Sequence, residues 1–256
     1  LCVEGPIDPE VAVLAARAED GRLLGAIVNF ACHPTHHGDG GSLSAGFPGV
    51  LVRRMREEGC PVTLYLNGAC GNVHTSDPRT GSDISMEEVG SRLALDARQA
   101  IQRMAFRCEV RLGSARETVE LPFRAITDDE LHGTTRGAQR FIDSAIYDRG
   151  MQDLVEEIRA RRAEYAEVGA LFVDEYAFVS IPAEYFVEHG LRIKENVWPA
   201  RALVVSCANG MVGYVPTRDA FRRWGHETTF AAWSKLAPEA GDILADCAVR
   251  LIRGAR

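Results

Sequence analysis

The chain has 256 residues, 46% of them hydrophobic, and a formal net charge of −7. That is enough apolar material for a full core, and the acidic balance without a Lys/Arg-rich run gives nucleic-acid binding no electrostatic support. No apolar run approaches the roughly 18–20 residues that a membrane-spanning helix needs. Seven cysteines without CxxC spacing read as small buried thiols in a reducing compartment. The expectation is one soluble domain over residues 1–256, cytoplasmic, of open oligomeric state. Leu1 is not an initiator methionine, so the sequence is expected to be processed or incomplete at its start.

Val11 to Arg17 and Arg22 to Cys32 are extended runs joined by Glu19-Asp20-Gly21, a hairpin signal. The second run, Ala26 to Cys32, is apolar and partly β-branched, as in a strand buried on both faces. His33-Pro34 stops it, because proline brings no N–H to a ladder and biases the preceding residue toward extended geometry. The glycine-rich loop beyond carries His36, His37 and Asp39, so imidazoles and a carboxylate gather at a strand's carboxyl end, where ligands bind in open α/β sheets. Phe47-Pro48-Gly49 opens a helix with Val50, Leu51 and Met55 on its apolar face, closed by Gly59.

Pro61 to Leu66 is the next strand and runs into Asn67-Gly68-Ala69-Cys70-Gly71-Asn72-Val73-His74, a second glycine-punctuated strand end. Ser85-Met86-Glu87-Glu88 reads as a capping box before a helix to about Met104. Cys108 to Phe123 alternates as a strand or hairpin with one wet face. Thr127-Asp128-Asp129-Glu130 is a second capping box, and the polar chain from there to about Val168 reads as an added helical layer with Met151, Leu154, Val155 and Ile158 facing inward. Leu171 to Ile181 is a strand ending in Pro182-Ala183-Glu184; a helix carries Tyr185 to Asn196. Ala202 to Cys207 is another buried strand, ending in Ala208-Asn209-Gly210. Pro238 and Gly254 frame a closing helix. The fold class is α/β, with a mostly parallel or mixed central sheet flanked by helices.

Strands therefore end in polar loops at His33, Asn67, Glu184 and Asn209, with Tyr214 and His74 near by. Imidazole and carboxylate are the donors of a catalytic zinc, but ligands scattered along a chain form no spacing motif. Cys70 beside His74 is a competing nucleophile pair; its tight Gly/Ala turn has no basic neighbour to lower the thiol pKa, so inert packing is the stronger reading.

The segments NFACHPT (Asn29 to Thr35), SAGFPG (Ser44 to Gly49), LNGACGNV (Leu66 to Val73), IPAEYFVEHGLRIK (Ile181 to Lys194), ANGMVGYVPT (Ala208 to Thr217) and LAPEAGDIL (Leu236 to Leu244) together resemble the amino-terminal hydrolase domain of the neutral, or non-lysosomal, ceramidase family. The resemblance implies an α/β domain holding one zinc on His33, Glu184 and Tyr214, which hydrolyses the amide of an N-acylated small molecule with metal-activated water. His74 or His37 is the candidate base that takes or relays the proton, His74 being readable also as an oxyanion donor or a structural histidine, and Asn67, Asn72 and Asn209 are candidate substrate contacts. Phenol is an unusual ligand, since only a neighbouring cation keeps it ionised near neutral pH. The chain departs from the family's pattern in three ways. The family's His-x-His segment lies upstream of anything present, His74 stands where ceramidases carry a serine, and Gly46 stands where relatives often carry aspartate. The serine replacement points away from ceramide itself. The absent histidine supports a rival reading, a binding or regulatory domain that keeps the fold without a complete metal site.

Overall fold

The structure, a computed structural model, describes residues 3–36, 41, 43–77, 79–132, 144–223 and 225–255. The Asp20-Gly21 signal folds as expected. β1 (Ala12–Arg17) and β2 (Leu23–Phe30) pair antiparallel, with Gly21 at φ 88° in the turn. α1 (Gly46–Glu57) follows, with Pro48 in its first turn. β3 (Thr63–Asn67) lies parallel to β2, and a short hairpin of β4 (Ser76–Asp77) and β5 (Ser82–Asp83) leads into α2 (Met86–Arg103). The Ser85 hydroxyl caps α2 by accepting from the Glu88 N–H at 3.2 Å, but the Glu88 carboxylate turns to Arg92 rather than back to the cap. Phe47, Leu51 and Met55 of α1 pack with Leu93 and Ala97 of α2 over the three-stranded sheet. Each large side chain buried there is worth roughly 1.5–3 kcal/mol of transfer free energy.

β6 (Leu112–Pro122) opens the second half. α3 (Asp128–His132), α4 (Ser144–Asp148) and α5 (Met151–Ala160) form the added helical layer, and Leu154, Val155 and Ile158 close around Phe230 as the inward stripe requires. The helix expected to reach Val168 stops early, because β7 (Ala163–Val173) begins at Ala163 and pairs antiparallel along the whole of β6. Ala163, Ala166, Val168 and Ala170 are buried on this strand. Its outer glutamates, Glu164 and Glu167, pair with Arg161 and Arg116, so a salt-bridged strand face carried the charge pattern of a solvated helix.

The run from Leu171 to Ile181 is not one strand. It folds back at Asp174-Glu175 into β8 (Tyr176–Ile181), with Asp174 at φ 51° and its carboxylate accepting from the Arg111 N–H at 2.9 Å. An aspartate can take the left-handed turn conformation, so no glycine marks this turn. β9 (Glu184–Tyr185), α6 (Val187–Asn196), β10 (Arg201–Ser206), β11 (Tyr214–Val215), α7 (Arg218–Arg223), a 3-10 turn at His226–Thr228 and α8 (Ala240–Gly254) complete the chain.

The sheet system is mixed. β1-β2-β3 is one hydrogen-bonded sheet, β10-β8-β7-β6 another, and β9 pairs parallel with β11. Asn29 joins the two larger sheets, its side-chain amide donating to Leu66 O on β3 at 2.9 Å and to Val204 O on β10 at 3.0 Å. α6 and α8 cover the four-stranded sheet, with Ile181, Tyr185, Ile193, Leu244 and Ile252 almost wholly buried. Tyr185 belongs to that core and Val187 to the core of the three-stranded sheet, so the chain crosses between the two just after Glu184.

Candidate functional site

At this crossing, strand ends that are far apart in sequence meet. The chain leaves β2 through Ala31 and Cys32, and the His33 N–H donates to Val73 O at 2.9 Å, which ties the β2 end to the loop after β3. That loop touches β9 in turn, Gly71 N–H donating to Tyr185 O at 2.8 Å. A Cβ on Gly71 would lie 2.5 Å from Glu184 O, so glycine alone allows the approach. On the other side, Glu184 N–H donates to Gly213 O at 3.0 Å and Tyr214 N–H to Trp233 O at 2.6 Å. Gly213, at φ 98°, packs against the Trp233 backbone where any Cβ would clash.

Three of the side chains singled out in the sequence converge here. His33 Nε2 lies 2.8 Å from Glu184 Oε2 across 151 positions of chain, and His33 Nδ1 lies 2.5 Å from Cys70 O. The Tyr214 ring lies 6.3 Å from that of His33, and its phenol acts on the same Glu184 carboxylate. The His74 ring stacks on His33 at a centroid distance of 4.6 Å and 5° between planes. Burial works against a charged His33, but its contacts with Cys70 and Glu184 outweigh that and push its pKa up to about 10. Burial would raise Glu184, yet the hydrogen bonds from His33 and Tyr214 and the nearby His33 and His226 charges hold it below the ordinary carboxylate range. Burial, then the bond to Glu184, pushes the Tyr214 phenol well above its ordinary value.

The remaining candidates sit differently. His37 and Asp39 lie outside the described residues. His36 Nε2 faces Ile84 O at 3.1 Å and its ring edges onto Phe47. The Asn72 amide serves the start of α6, accepting from Val187 N–H and donating to Glu188, both at 2.9 Å. Asn67 accepts from the Tyr65 hydroxyl and donates to Cys70 Sγ at 3.0 Å. Asn209, exposed and at φ 63°, donates to Ser180 Oγ. The Cys70 thiol is buried, and its backbone carbonyl is the group that meets His33. Gly46 has a local reason: at φ 56° its Cβ would lie 2.7 Å from Pro34 O.

Sequence reasoning missed His226. Its ring is edge-on to Tyr214 at 5.9 Å and stacked on Trp233 at 5.3 Å. It sits in a polar stretch with no periodicity and outside every segment quoted above, so nothing local marked it.

The fold is similar to that of two solved ceramidase structures. The neutral ceramidase from Pseudomonas aeruginosa shares it at a TM-score of 0.68 and 19% identity over 97% of this chain and 47% of that one. A structure described as ceramidase complexed with C2 shares it at 0.71 and 18%, over 98% and 48%. The chain thus spans about half the length of those proteins. No family model and no curated protein matches the sequence. Among the described residues no helix is long and apolar enough to cross a membrane.

Proposed function

We propose that this chain is the metal-binding domain of a hydrolase that cleaves the amide bond of N-acylated small molecules, with His33, Glu184 and Tyr214 as zinc ligands. The observation that carries the reading is that both ring nitrogens of His33 face acceptors, Cys70 O and Glu184 Oε2. A neutral imidazole has one N–H, so a second positive centre is required there, either a proton or a metal ion next to Nε2. An Nδ1–H donated to a backbone carbonyl is the contact that leaves Nε2 as the ligating nitrogen in metal sites.

Among the described residues no three His, Cys, Asp or Glu side chains gather as a metal group, so the third donor is the Tyr214 phenol. Imidazole and carboxylate fit zinc in kind, and the phenol is an unusual donor that would have to lose its proton to join them. When bound, zinc supplies polarisation of the scissile carbonyl and acidification of water.

The chain's own residues do the rest. Glu184, held ionised, offers its carboxylate at the centre, and the Cys70 carbonyl keeps the His33 ring oriented. His74, exposed and stacked against His33, takes a proton from water and returns it to the leaving amine, a role shared with His37. Asn67, Asn72 and Asn209, whose amides already bond to Tyr65 and Cys70, to Val187 and Glu188, and to Ser180, are second-rank candidates for substrate contact. The shared fold with ceramidases supports an amide as the bond cleaved.

Calorimetric titration of zinc, with amine release from N-acyl amides measured in parallel, tests the proposal. Zinc uptake and turnover that both disappear in Glu184→Gln are expected. Turnover without zinc, or zinc binding unchanged in that variant, overturns it. A second reading rests on the elevated His33 pKa: a proton can serve as the second positive centre, and the His33–Glu184 ion pair then belongs to a non-catalytic binding domain. Failure to take up zinc at all selects that reading.

A further inference from the structure

On the Tyr214 side of the centre, aromatic rings follow one another without a break. Tyr147 of α4 lies 5.4 Å from Trp233, Trp233 5.3 Å from His226, His226 5.9 Å from Tyr214, and Tyr214 6.3 Å from His33. Trp233 and His226 stack face to face, 24° from parallel, with His226 the exposed outer ring and Trp233 behind it. The Trp233 Nε1 is buried and has no hydrogen-bond partner among the described residues.

The backbone beneath this pair is held by polar side chains. Arg124, 10% exposed, donates to Thr228 O at 2.7 Å, Ser234 Oγ donates to Glu227 O at 2.6 Å, and Gly225 N–H donates to Thr228 Oγ1 at 2.9 Å. A ledge supported in this way keeps its ring planes fixed without a ligand, which is how a binding surface is preorganised.

Resting on the hydrolase reading, we infer that the site selects amides with a flat aromatic group next to the scissile bond, stacked on the His226–Trp233 ledge. Offset stacking and edge contacts reward a planar partner, whereas an alkyl chain needs an apolar trench. A cleft of about 560 Å³ is lined by β1, β10 and Trp198 and by none of His33, Glu184, Tyr214, His226 or Trp233, so it is not the place for a group next to the scissile bond.

Calorimetry with the full chain, metal-free and with added zinc, compares benzamide and N-benzylacetamide with hexanamide. At least one aromatic amide is expected to bind about 10-fold more tightly than hexanamide, a difference of about 1.4 kcal/mol. His226→Ala and Trp233→Leu are expected to erase that preference. Trp233→Leu keeps the backbone carbonyl that accepts from Tyr214 N–H, and its circular dichroism and zinc affinity are expected to match the parent's. Equal or tighter binding of hexanamide, or an aromatic preference that survives both substitutions, overturns the inference and leaves zinc-dependent hydrolysis standing. An aromatic preference in a protein that neither binds zinc nor cleaves any amide keeps the ledge and overturns the hydrolase reading instead.

Discussion

The centre at Glu184 and the cleft between β1 and β10 differ in the groups they bring together. The cleft has a volume of about 560 Å³ and carries ion pairs at its wall: Lys194 meets Asp8 and Glu10 at 2.5 and 2.7 Å, and Arg107 meets Asp174 and Glu175 at 3.0 and 2.8 Å. At the centre an imidazole, a carboxylate and a phenol share one small volume. His33 is driven up to about 10 by Cys70 and Glu184 against burial, Glu184 is held down by His33 and Tyr214 against burial, and Tyr214 is pushed up by burial and Glu184 together. The ion pairs of the cleft shift one another as well, so what distinguishes the centre is its chemistry: an imidazole and a carboxylate brought within 2.8 Å from distant strand ends, both of them metal-ligand types.

The largest effects should separate these two regions directly. Glu184→Gln is expected to lower amide turnover by at least about 100-fold, as loss of a ligand or its support does. Trp198→Ala, in the cleft wall and 76% exposed, is expected to leave turnover within about two-fold. Paired kinetics on the two variants check this, and a loss at Trp198 matching that at Glu184 would reverse the comparison.

Gly71→Ala sharpens it further. The added methyl meets Glu184 O at 2.5 Å, and backbone has to move, so β9 should shift and carry Glu184 away from His33. A shift of about 1 Å can cost on the order of 100-fold in rate, while overpacking costs about 1–3 kcal/mol in stability. Turnover should therefore fall much further than thermal stability does, which melting curves and kinetics on one preparation would show.

Asn29→Ala addresses the seam that brings the regions into one body. It removes the amide that donates to Leu66 O and Val204 O, and is expected to cost about 2 kcal/mol, seen as a Tm lower by about 4–8 °C.

The smallest effect is a pH dependence set behind the centre, at His189, whose ring stacks on Tyr185. Burial holds the His189 pKa below 6.5, against the opposing bond to Pro216 O, so the unfolded chain binds the proton more readily than the folded one. His189 therefore favours folding fully above pH 6.5, and that contribution fades as pH falls from there through the lower folded pKa. The parent should lose a few degrees of Tm between pH 7 and pH 5, about 2–4 °C per kcal/mol. His189→Gln should show a flatter profile over this window.

Local chemistry was sufficient wherever one short segment sets its own geometry. Asp20-Gly21 makes the β1–β2 turn, Pro48 starts α1, Ser85 caps α2, and the stripe through Leu154, Val155 and Ile158 faces inward. The polar strand ends at His33 and Glu184 and the following Tyr214 were legible for the same reason, since each lies beside a strand boundary marked by proline or glycine.

Their convergence was not legible, because it depends on 151 residues of intervening chain folding so that β2 and β9 meet at the seam. Tertiary pairing also decided that Ala163–Val168 is strand, since β6 offers it a partner along its length, and that Asp174 turns without glycine. It placed His226 against Tyr214 and committed Asn72 to α6. A side chain's type and local pattern state what it can do, but its partner is chosen by long-range packing, which is where Glu184 acquires both His33 and Tyr214.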